Sequence, residues 1–203
     1  MQIISAAAID KMERFYRANL VNSLTGFKSV SLIGTINPAG KTNLGVFSSI
    51  VHIGSNPALI GYINRPKKAA PHTLANIEAT QVYTINHIHP HFISQAHQTS
   101  AKYPDDISEF DAVGLTPQFI EGMAAPFVRE SNIKYALALQ EIIPIALNET
   151  FLVIGKVVSI HLGKDVLKAD GFLTLDRVPS VACNGNGNYY SAQPIAEFTY
   201  AKP

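Results

Sequence analysis

The chain is organised around the stretch Thr42-Asn43-Leu44-Gly45-Val46-Phe47-Ser48-Ser49, in which hydroxyl and amide side chains stand among small residues at the start of an apolar strand pattern. Two later stretches belong with it. The first, Arg65-Pro66-Lys67-Lys68, is a cluster of cations, and the second, His72-Thr73-Leu74-Ala75-Asn76, has the composition of a helix start that carries a hydroxyl group. Because cations and helix N-termini both attract anions, the three stretches together predict a holder for a phosphorylated aromatic ligand.

Length and composition predict one well-packed domain that spans residues 1–203. Of the 203 residues, 47% are hydrophobic and 15% are charged. A chain of this length fits a single β-rich barrel, and its hydrophobic content is sufficient to order the chain around a core. The low charged fraction also indicates apolar surface that a second subunit would cover, so we expect a homodimer.

Charge, cysteine usage and hydropathy argue against several partners and compartments. A net charge of +1 gives no broad basic field, which disfavours nucleic acid as a partner. The single cysteine, Cys183, cannot form an internal disulfide, and this fits a reducing cytoplasm. Charged residues at 10–14 interrupt any secretory signal and no apolar run reaches about 18 residues, so we expect no membrane association.

Hydrophobic periodicity predicts a mainly β protein with peripheral helices. An amphipathic helix is expected over about 5–24, followed by a barrel over about 28–190. Turn residues at 37–40 predict a first hairpin, whose return strand runs from about Leu44 to Ile53. The remaining predicted strands are 58–64, 81–88, 132–142 and 150–160, the last two as a long hairpin that bends at Gly155 to suit a closed barrel.

Two shorter helices and one irregular segment are expected between the strands. Pro71 precedes a short helix for which His72 or Thr73 is the predicted N-cap. A second helix is expected over about 91–102. Residues 103–114 have the mixed polar, proline and glycine character of an irregular excursion, for which a gate over a substrate face is one interpretation.

In order and spacing, these stretches resemble the flavin reductase-like family of FMN-binding split barrels, which includes the reductase partners of flavin-dependent monooxygenases and the flavoredoxin-type proteins. The similarity covers roughly residues 29–190. The matching elements, in chain order, are Gly40–Ser49, Asn56-Pro57 ahead of a hydrophobic strand, Arg65, Thr73–Ile77, Ile85-Asn86, Ser108-Glu109-Phe110 and Gly114-Leu115.

The resemblance implies an FMN-binding split β-barrel of Greek-key type and a set of cofactor-binding residues. Those implied to lie against the flavin are Asn43, Val46, Phe47, Ser48 and Ser49. Those implied for its phosphate are Arg65, Lys67, His72, Thr73 and Asn76, since charge-assisted and hydroxyl bonds suit an anion. No catalytic side chain is implied, because hydride transfer is the chemistry of the flavin itself.

The same residues also have purely structural interpretations. Residues 42–49 fit an ordinary barrel strand whose serines alternate inward and outward, and residues 65–68 fit a solvated basic turn. Residues 87–91 place three histidines at alternate positions, but no neighbouring carboxylate or thiolate completes a set of metal ligands. We therefore expect these histidines at the surface or at the rim of the site, and no metal.

One segment departs from the family pattern and keeps two functions open. Family members often carry an arginine shortly before the late Gly-Gly and Tyr, whereas residues 183–188 contain no cation. The first hypothesis is a flavin reductase that passes a hydride from NADH or NADPH to FMN and serves a monooxygenase or another acceptor. The second is a non-catalytic FMN-binding protein such as a carrier, sensor or partner subunit. A barrel that uses the same cleft for another cofactor is a third alternative.

Overall fold

The structure is a computed structural model that describes residues 1–202. Its α-helices are α1 (Ala6–Asp10), α2 (Arg14–Ser23), α3 (Pro71–Thr80), α4 (Ile93–Gln98) and α5 (Glu109–Val113). Its strands are β1 (Lys28–Ser29), β2 (Ser31–Ile36), β3 (Thr42–Phe47), β4 (Ile50–Ser55), β5 (Ala58–Asn64), β6 (Val82–His87), β7 (Pro117–Ile120), β8 (Met123–Val128), β9 (Ile133–Ile145), β10 (Thr150–Leu162), β11 (Val181–Asn184) and β12 (Asn188–Ser191).

Seven antiparallel strands form the barrel, in the order β3-β2-β6-β9-β10-β5-β4. The two edge strands, β3 and β4, are consecutive in the chain and meet at the corner Ser48-Ser49. At this corner the Ile63 N–H donates to the Ser49 carbonyl oxygen at 3.3 Å. The barrel is therefore split between β3 and β4, as the split-barrel prediction requires.

The long hairpin of β9 and β10 forms the back of the barrel. Its register shifts at Ile154/Gly155 and again at Val157/Ser159, so two irregularities bend it. Extra residues of this kind increase the local twist, which is what closure of a barrel needs. A side chain at Gly155 would overlap the Tyr83 hydroxyl, so the backbone of β10 lies directly against that ring.

Two hydrophobic cores lie on opposite faces of the sheet. Ile33 belongs to the core that contains Tyr62 and Tyr83, whereas the next residue back, Leu32, belongs to the core that includes Phe110 under α4 and α5. Neighbouring strand residues point to opposite faces. This double burial explains why β2 is apolar on both sides rather than alternating with polar residues.

The predicted N-terminal helix over 5–24 is wrong in its continuity. Residues 11–13 interrupt it, and α2 starts afresh where the Glu13 carboxylate accepts hydrogen bonds from the N–H groups of Phe15 and Tyr16. Neither α1 nor α2 contains a buried residue, so the amphipathic pattern does not place any of their side chains in the core.

Three other segments differ from the predictions. The return strand expected over Leu44 to Ile53 is broken at the Ser48-Ser49 corner. The helix expected over 91–102 is shorter and preceded by a 3₁₀ turn at Pro90–Phe92. The excursion over 103–114 ends in α5. Residues 185–187 form the tight connection of the β11–β12 hairpin. None of the helices in residues 1–202 is long and apolar enough to cross a membrane.

Candidate ligand-binding site

The first turn of α3 begins without a side-chain cap. The residue before the helix is Ala70, not the predicted His72 or Thr73, and Pro71 occupies the first helical position. Proline is preorganised for this position but supplies no N–H group, and alanine cannot accept hydrogen bonds from the turn. The N–H groups of the residues that follow are therefore available to an anion.

The two predicted cations next to this helix behave differently. Arg65 follows directly after β5, is exposed, and forms no ion pair with any residue in 1–202. Lys67 instead lies 2.8 Å from Glu78 Oε1 and 5.7 Å from the centre of the Phe151 ring. Glu78 stands seven positions after Pro71 in α3, about 10 Å along the axis. The structure thus leaves Arg65 free for a ligand and holds Lys67 away from the helix start.

Four polar side chains form a buried network between α3 and the strands β2 and β3. Asn43 Nδ2 donates to Thr73 Oγ1 at 3.1 Å and to Thr35 Oγ1 at 3.2 Å. Asn76 Nδ2 donates to the same Thr35 oxygen at 3.1 Å. All four residues are buried, so three of the predicted site residues do come together. The fourth member, Thr35, was not predicted.

Gly45 packs directly against the Phe47 ring and close to the Thr73 hydroxyl group. A Cβ at position 45 would stand 3.0 Å from Phe47 Cε2 and 3.6 Å from Thr73 Oγ1. The Phe47 ring is itself fixed by an edge contact with Tyr62, at 5.0 Å between ring centres. The absence of a side chain at Gly45 therefore lets the Phe47 ring lie against the backbone of β3.

The outer edge of β3 offers backbone hydrogen-bonding groups. This strand pairs with β2 on one side, and no strand within residues 1–202 pairs with its other side. The Leu44 N–H points to that free edge, where it donates to Glu109 Oε2 at 3.0 Å. Backbone groups two residues apart point the same way in a strand. The N–H and C=O of Val46 therefore face the free edge. This is the orientation they need to form hydrogen bonds with the polar edge of a ligand.

The corner serines lie beside the late hairpin. Ser49 Oγ donates to the Ile63 carbonyl oxygen at 3.3 Å. This hydrogen bond stabilises the corner, so the hydroxyl hydrogen is not directed at a ligand. Burial raises the pKa of the Cys183 thiol, and a hydrogen bond with Ser48 opposes the shift. Tyr189 of the same hairpin is 2.9 Å from His97 Nδ1 through its hydroxyl oxygen. The hairpin of β11 and β12, which lacks the arginine often found in the family, nevertheless lies next to Ser48 of the candidate site.

A pocket of about 260 Å³ adjoins the network on the side of the β2–β3 turn. Asn43, His72 and Asn76 line it, together with residues of the segment 105–109. His72 Nε2 lies 3.2 Å from Asp105 Oδ1 across the pocket, so His72 faces this segment. The segment 103–114, predicted as an irregular excursion, thus contributes one wall of a polar pocket next to the start of α3.

Sequence reasoning missed three residues of this region. Thr35 is the shared acceptor of the network, and Glu109 binds the free edge of β3. Asn64 is fully buried before Arg65, and its Oδ1 has no hydrogen-bond partner within residues 1–202. Thr35 stands among apolar residues in a strand pattern, where a lone threonine gives no functional signal. Asn64, directly before the cationic turn, was the more recognisable of the three.

The fold defines the class of protein to which the chain belongs, a β-barrel split at one corner, with a polar pocket beside an uncapped helix. The chain belongs to the flavin reductase like domain family, which it matches over residues 27–190.

Solved structures share this fold over almost the whole chain. A protein from Shewanella frigidimarina NCIMB 400, proposed to be a flavin reductase with a split barrel domain, is 43% identical, with 99% of this chain and 100% of that chain covered and a TM-score of 0.95. Nitrilotriacetate monooxygenase component B from Bacillus cereus is 20% identical, with 98% of each chain covered and a TM-score of 0.86. The flavoredoxin of Desulfovibrio vulgaris (Miyazaki F) is 20% identical, with 87% and 92% covered and a TM-score of 0.76. The last two likenesses show the fold alone.

Proposed function

We propose that this protein binds FMN and passes a hydride from NADH or NADPH to it. The observation that carries the proposal is the uncapped first turn of α3, together with the unpaired Arg65 and the polar pocket lined by Asn43, His72 and Asn76. An uncapped helix start beside a polar pocket suits the phosphate end of a flavin nucleotide. Membership of the flavin reductase like domain family supports the same cofactor.

The chain's residues divide between the two ends of such a ligand. Arg65 and the first turn of α3 hold the phosphate through charge-assisted and backbone hydrogen bonds. Val46 presents its backbone at the free edge of β3 to the polar edge of the ring, and Phe47 packs beside the ring. When bound, FMN supplies the hydride-accepting atom, so the contribution of the protein is to orient the ring and leave one face open to the donor.

The reductase activity is tested by mixing the purified protein with FMN and either nicotinamide under anaerobic conditions. We expect the flavin absorbance to bleach faster than in a control without protein. Bleaching at the rate of that control with both nicotinamides would exclude the reductase. Tight FMN binding without oxidation of nicotinamide would instead favour a carrier, a sensor or a partner subunit, which the cation-free hairpin at 181–191 supports.

Arg65 and Lys67 form a matched pair for the phosphate assignment, because both are exposed cations of the same turn. We expect Arg65→Ala to weaken FMN binding by about tenfold to a hundredfold, as loss of a charge-assisted bond does. Lys67→Ala should have a smaller effect, since Glu78 already holds that ammonium group. Titration of protein into FMN, followed by flavin fluorescence, measures both. Unchanged affinity in the Arg65 variant would refute its role.

The proposed setting is a cytoplasmic homodimer whose second subunit completes the flavin site. Reduced flavin would serve a monooxygenase or another electron acceptor. Structural likeness to a monooxygenase component B is compatible with such a partner. Mixing the protein with a candidate oxygenase and NADH or NADPH tests it, since product should form faster than with either protein alone.

A further inference from the structure

Residues 192–202 form a tail that follows β12 and belongs to no helix or strand. Every residue of this tail is exposed, and Phe198 and Tyr200 are exposed at 88% and 91%. Within residues 1–202, its one ion pair joins Glu197 to Lys168 at 3.3 Å, and no backbone hydrogen bond ties it to the barrel. Two aromatic side chains of the tail therefore have no apolar cover in their own chain.

The tail nevertheless has the sequence pattern of a β-strand. Apolar and polar residues alternate in Ala196-Glu197-Phe198-Thr199-Tyr200, which gives a strand one apolar face. Aromatic and β-branched residues also favour strands. A strand needs a neighbour for its backbone N–H and C=O groups, since these must be paired when they are buried. What the tail lacks is an edge to pair with.

The barrel has such an edge at β4. This strand pairs with β5 on one side, and no strand within residues 1–202 pairs with its other side. Val51 and Ile53 of β4 are exposed, and both lie within 3.4 Å of the ideal Cβ position of Gly61, so they share one face. A free edge with apolar side chains is a template for a further strand. The other barrel edge, β3, is partly covered, because the Leu44 N–H already donates to Glu109.

The tail and the edge of β4 match in spacing as well as in character. Phe198 and Tyr200 stand two positions apart, as do Val51 and Ile53. Each aromatic ring can therefore lie over one aliphatic side chain, and aromatic rings opposite β-branched residues are favourable cross-strand pairs. Within one chain the two surfaces do not meet, because all four side chains are exposed.

We propose that the tail of one subunit adds as a strand to the free edge of β4 in a second copy of the chain. Both halves of the contact are present in every chain, so two copies related by a twofold axis exchange tails and cover both edges. This inference rests on the proposed homodimer and does not depend on flavin binding, since none of the four residues belongs to the candidate flavin site.

Cysteine cross-linking distinguishes exchange between chains from contact within one chain. The double variant Val51→Cys, Tyr200→Cys, treated with a short bismaleimide, should give a covalent dimer on denaturing gels. Co-expression of the two single variants, one with a size tag, should give a mixed cross-linked pair, which a tail bound to its own chain cannot form. Phe119→Cys with Tyr200→Cys is the matched control and should not cross-link, because Phe119 is exposed on the separate small sheet. The native Cys183 is buried and does not compete for the reagent.

The two faces of the tail provide a matched pair for the dimer affinity. The double variant Phe198→Ala, Tyr200→Ala should weaken dimerisation by about tenfold or more, measured by sedimentation equilibrium. Thr199→Ala, on the opposite face, should leave it unchanged. Circular dichroism should show a native fold in both, since these side chains are exposed and not part of the core.

Cross-links that form only within single chains, or an unchanged dimer affinity in the Phe198 and Tyr200 double variant, would overturn the inference. A wild-type protein that sediments as one chain would overturn it together with the proposed homodimer. Failure of the anaerobic flavin assay would instead refute the reductase and leave the tail exchange to these measurements.

Discussion

At the scale of single residues, Gly34 shows how closely the small sheet of β7 and β8 approaches the barrel. A Cβ at this position would overlap the carbonyl oxygen of Pro126 and stand 2.7 Å from Thr84 Oγ1. Thr84 Oγ1 in turn donates to the Pro126 oxygen at 2.6 Å. A side chain at Gly34 would therefore push apart two strands that a buried hydrogen bond holds together.

We expect Gly34→Ala to lower the free energy of unfolding by about 1–3 kcal/mol, the usual cost of overpacking against backbone. Gly54→Ala is the matched control in another strand, because its Cβ would meet one atom at the ordinary contact distance of 3.6 Å. Denaturation by urea measures both variants. Equal stability of the two variants would show that β8 moves aside without a loss of stability, which would contradict the prediction.

His87 is largely buried rather than at the surface or the rim of the site, as the sequence predicted, and it gives a prediction on pH dependence. Its Nδ1 has no hydrogen-bond partner within residues 1–202, and burial lowers its pKa from 6.5 to about 4. Between these values the unfolded chain binds the proton and the folded protein does not. Stability therefore falls as the pH drops from 6.5 to 4, by at most roughly 3 kcal/mol from this group.

The variant His87→Phe should flatten this part of the stability curve, because it removes the titrating group. The measured quantity is the slope of the unfolding free energy between pH 6.5 and 4, not the absolute stability, which the new ring also changes. His52→Phe, at an exposed position of β4, should keep the wild-type slope. A wild-type slope in His87→Phe would show that other groups cause the acid sensitivity.

Residue types of the site could be predicted from the sequence, but their partners could not. The stretch 42–49 indicated which hydroxyl and amide groups matter, yet Asn43 bonds to Thr73, thirty positions away. Because two such residues are far apart in the chain, the sequence does not show whether a polar side chain faces a ligand or another residue of the protein. Lys67 shows the same limit, since the basic turn alone gave no sign that Glu78 would hold its ammonium group.

At the scale of elements, the patterns that were predicted well are those with strong local signals. The hairpin of β2 and β3 has turn residues at 37–40, and β9–β10 has two long apolar runs around a polar turn. Both are confirmed. In contrast, the break at Ser48-Ser49 lies inside a continuous strand pattern, because closure of the barrel decides it and hydrophobicity does not.

The first residue of α3 could not be predicted from local capping rules either. His72 and Thr73 have capping side chains, and capping rules assigned them to the position before the helix. The residue before the helix is instead Ala70, two or three positions earlier, and Pro71 is the first helical residue. A functional site is where such a local rule is expected to fail, since a satisfied cap would occupy the N–H groups that a ligand needs.

At the scale of the whole molecule, the split barrel followed from the order and spacing of several weak motifs, and the fold confirms it. The surface through which subunits would associate could not be predicted in the same way. Composition indicates apolar surface, but only the structure shows where it lies. Val51, Ile53 and Leu152 surround the place where Gly61 has no side chain, at 3.1–3.4 Å from its ideal Cβ. This patch spans β4, β5 and β10, and two of its members are exposed.

A second copy of the chain is the expected cover for this patch, with about 800 Å² buried per subunit if the dimer is stable. We expect sedimentation equilibrium to give twice the mass of one chain, and Ile53→Glu to give the mass of one chain, because a carboxylate buried in an apolar interface is strongly unfavourable. Phe119→Glu is the matched control, since it places the same charge at an exposed aromatic position on β7, in the separate small sheet. Loss of the dimer in both variants would indicate a general effect of charge, and a dimer that survives Ile53→Glu would move the interface to another face.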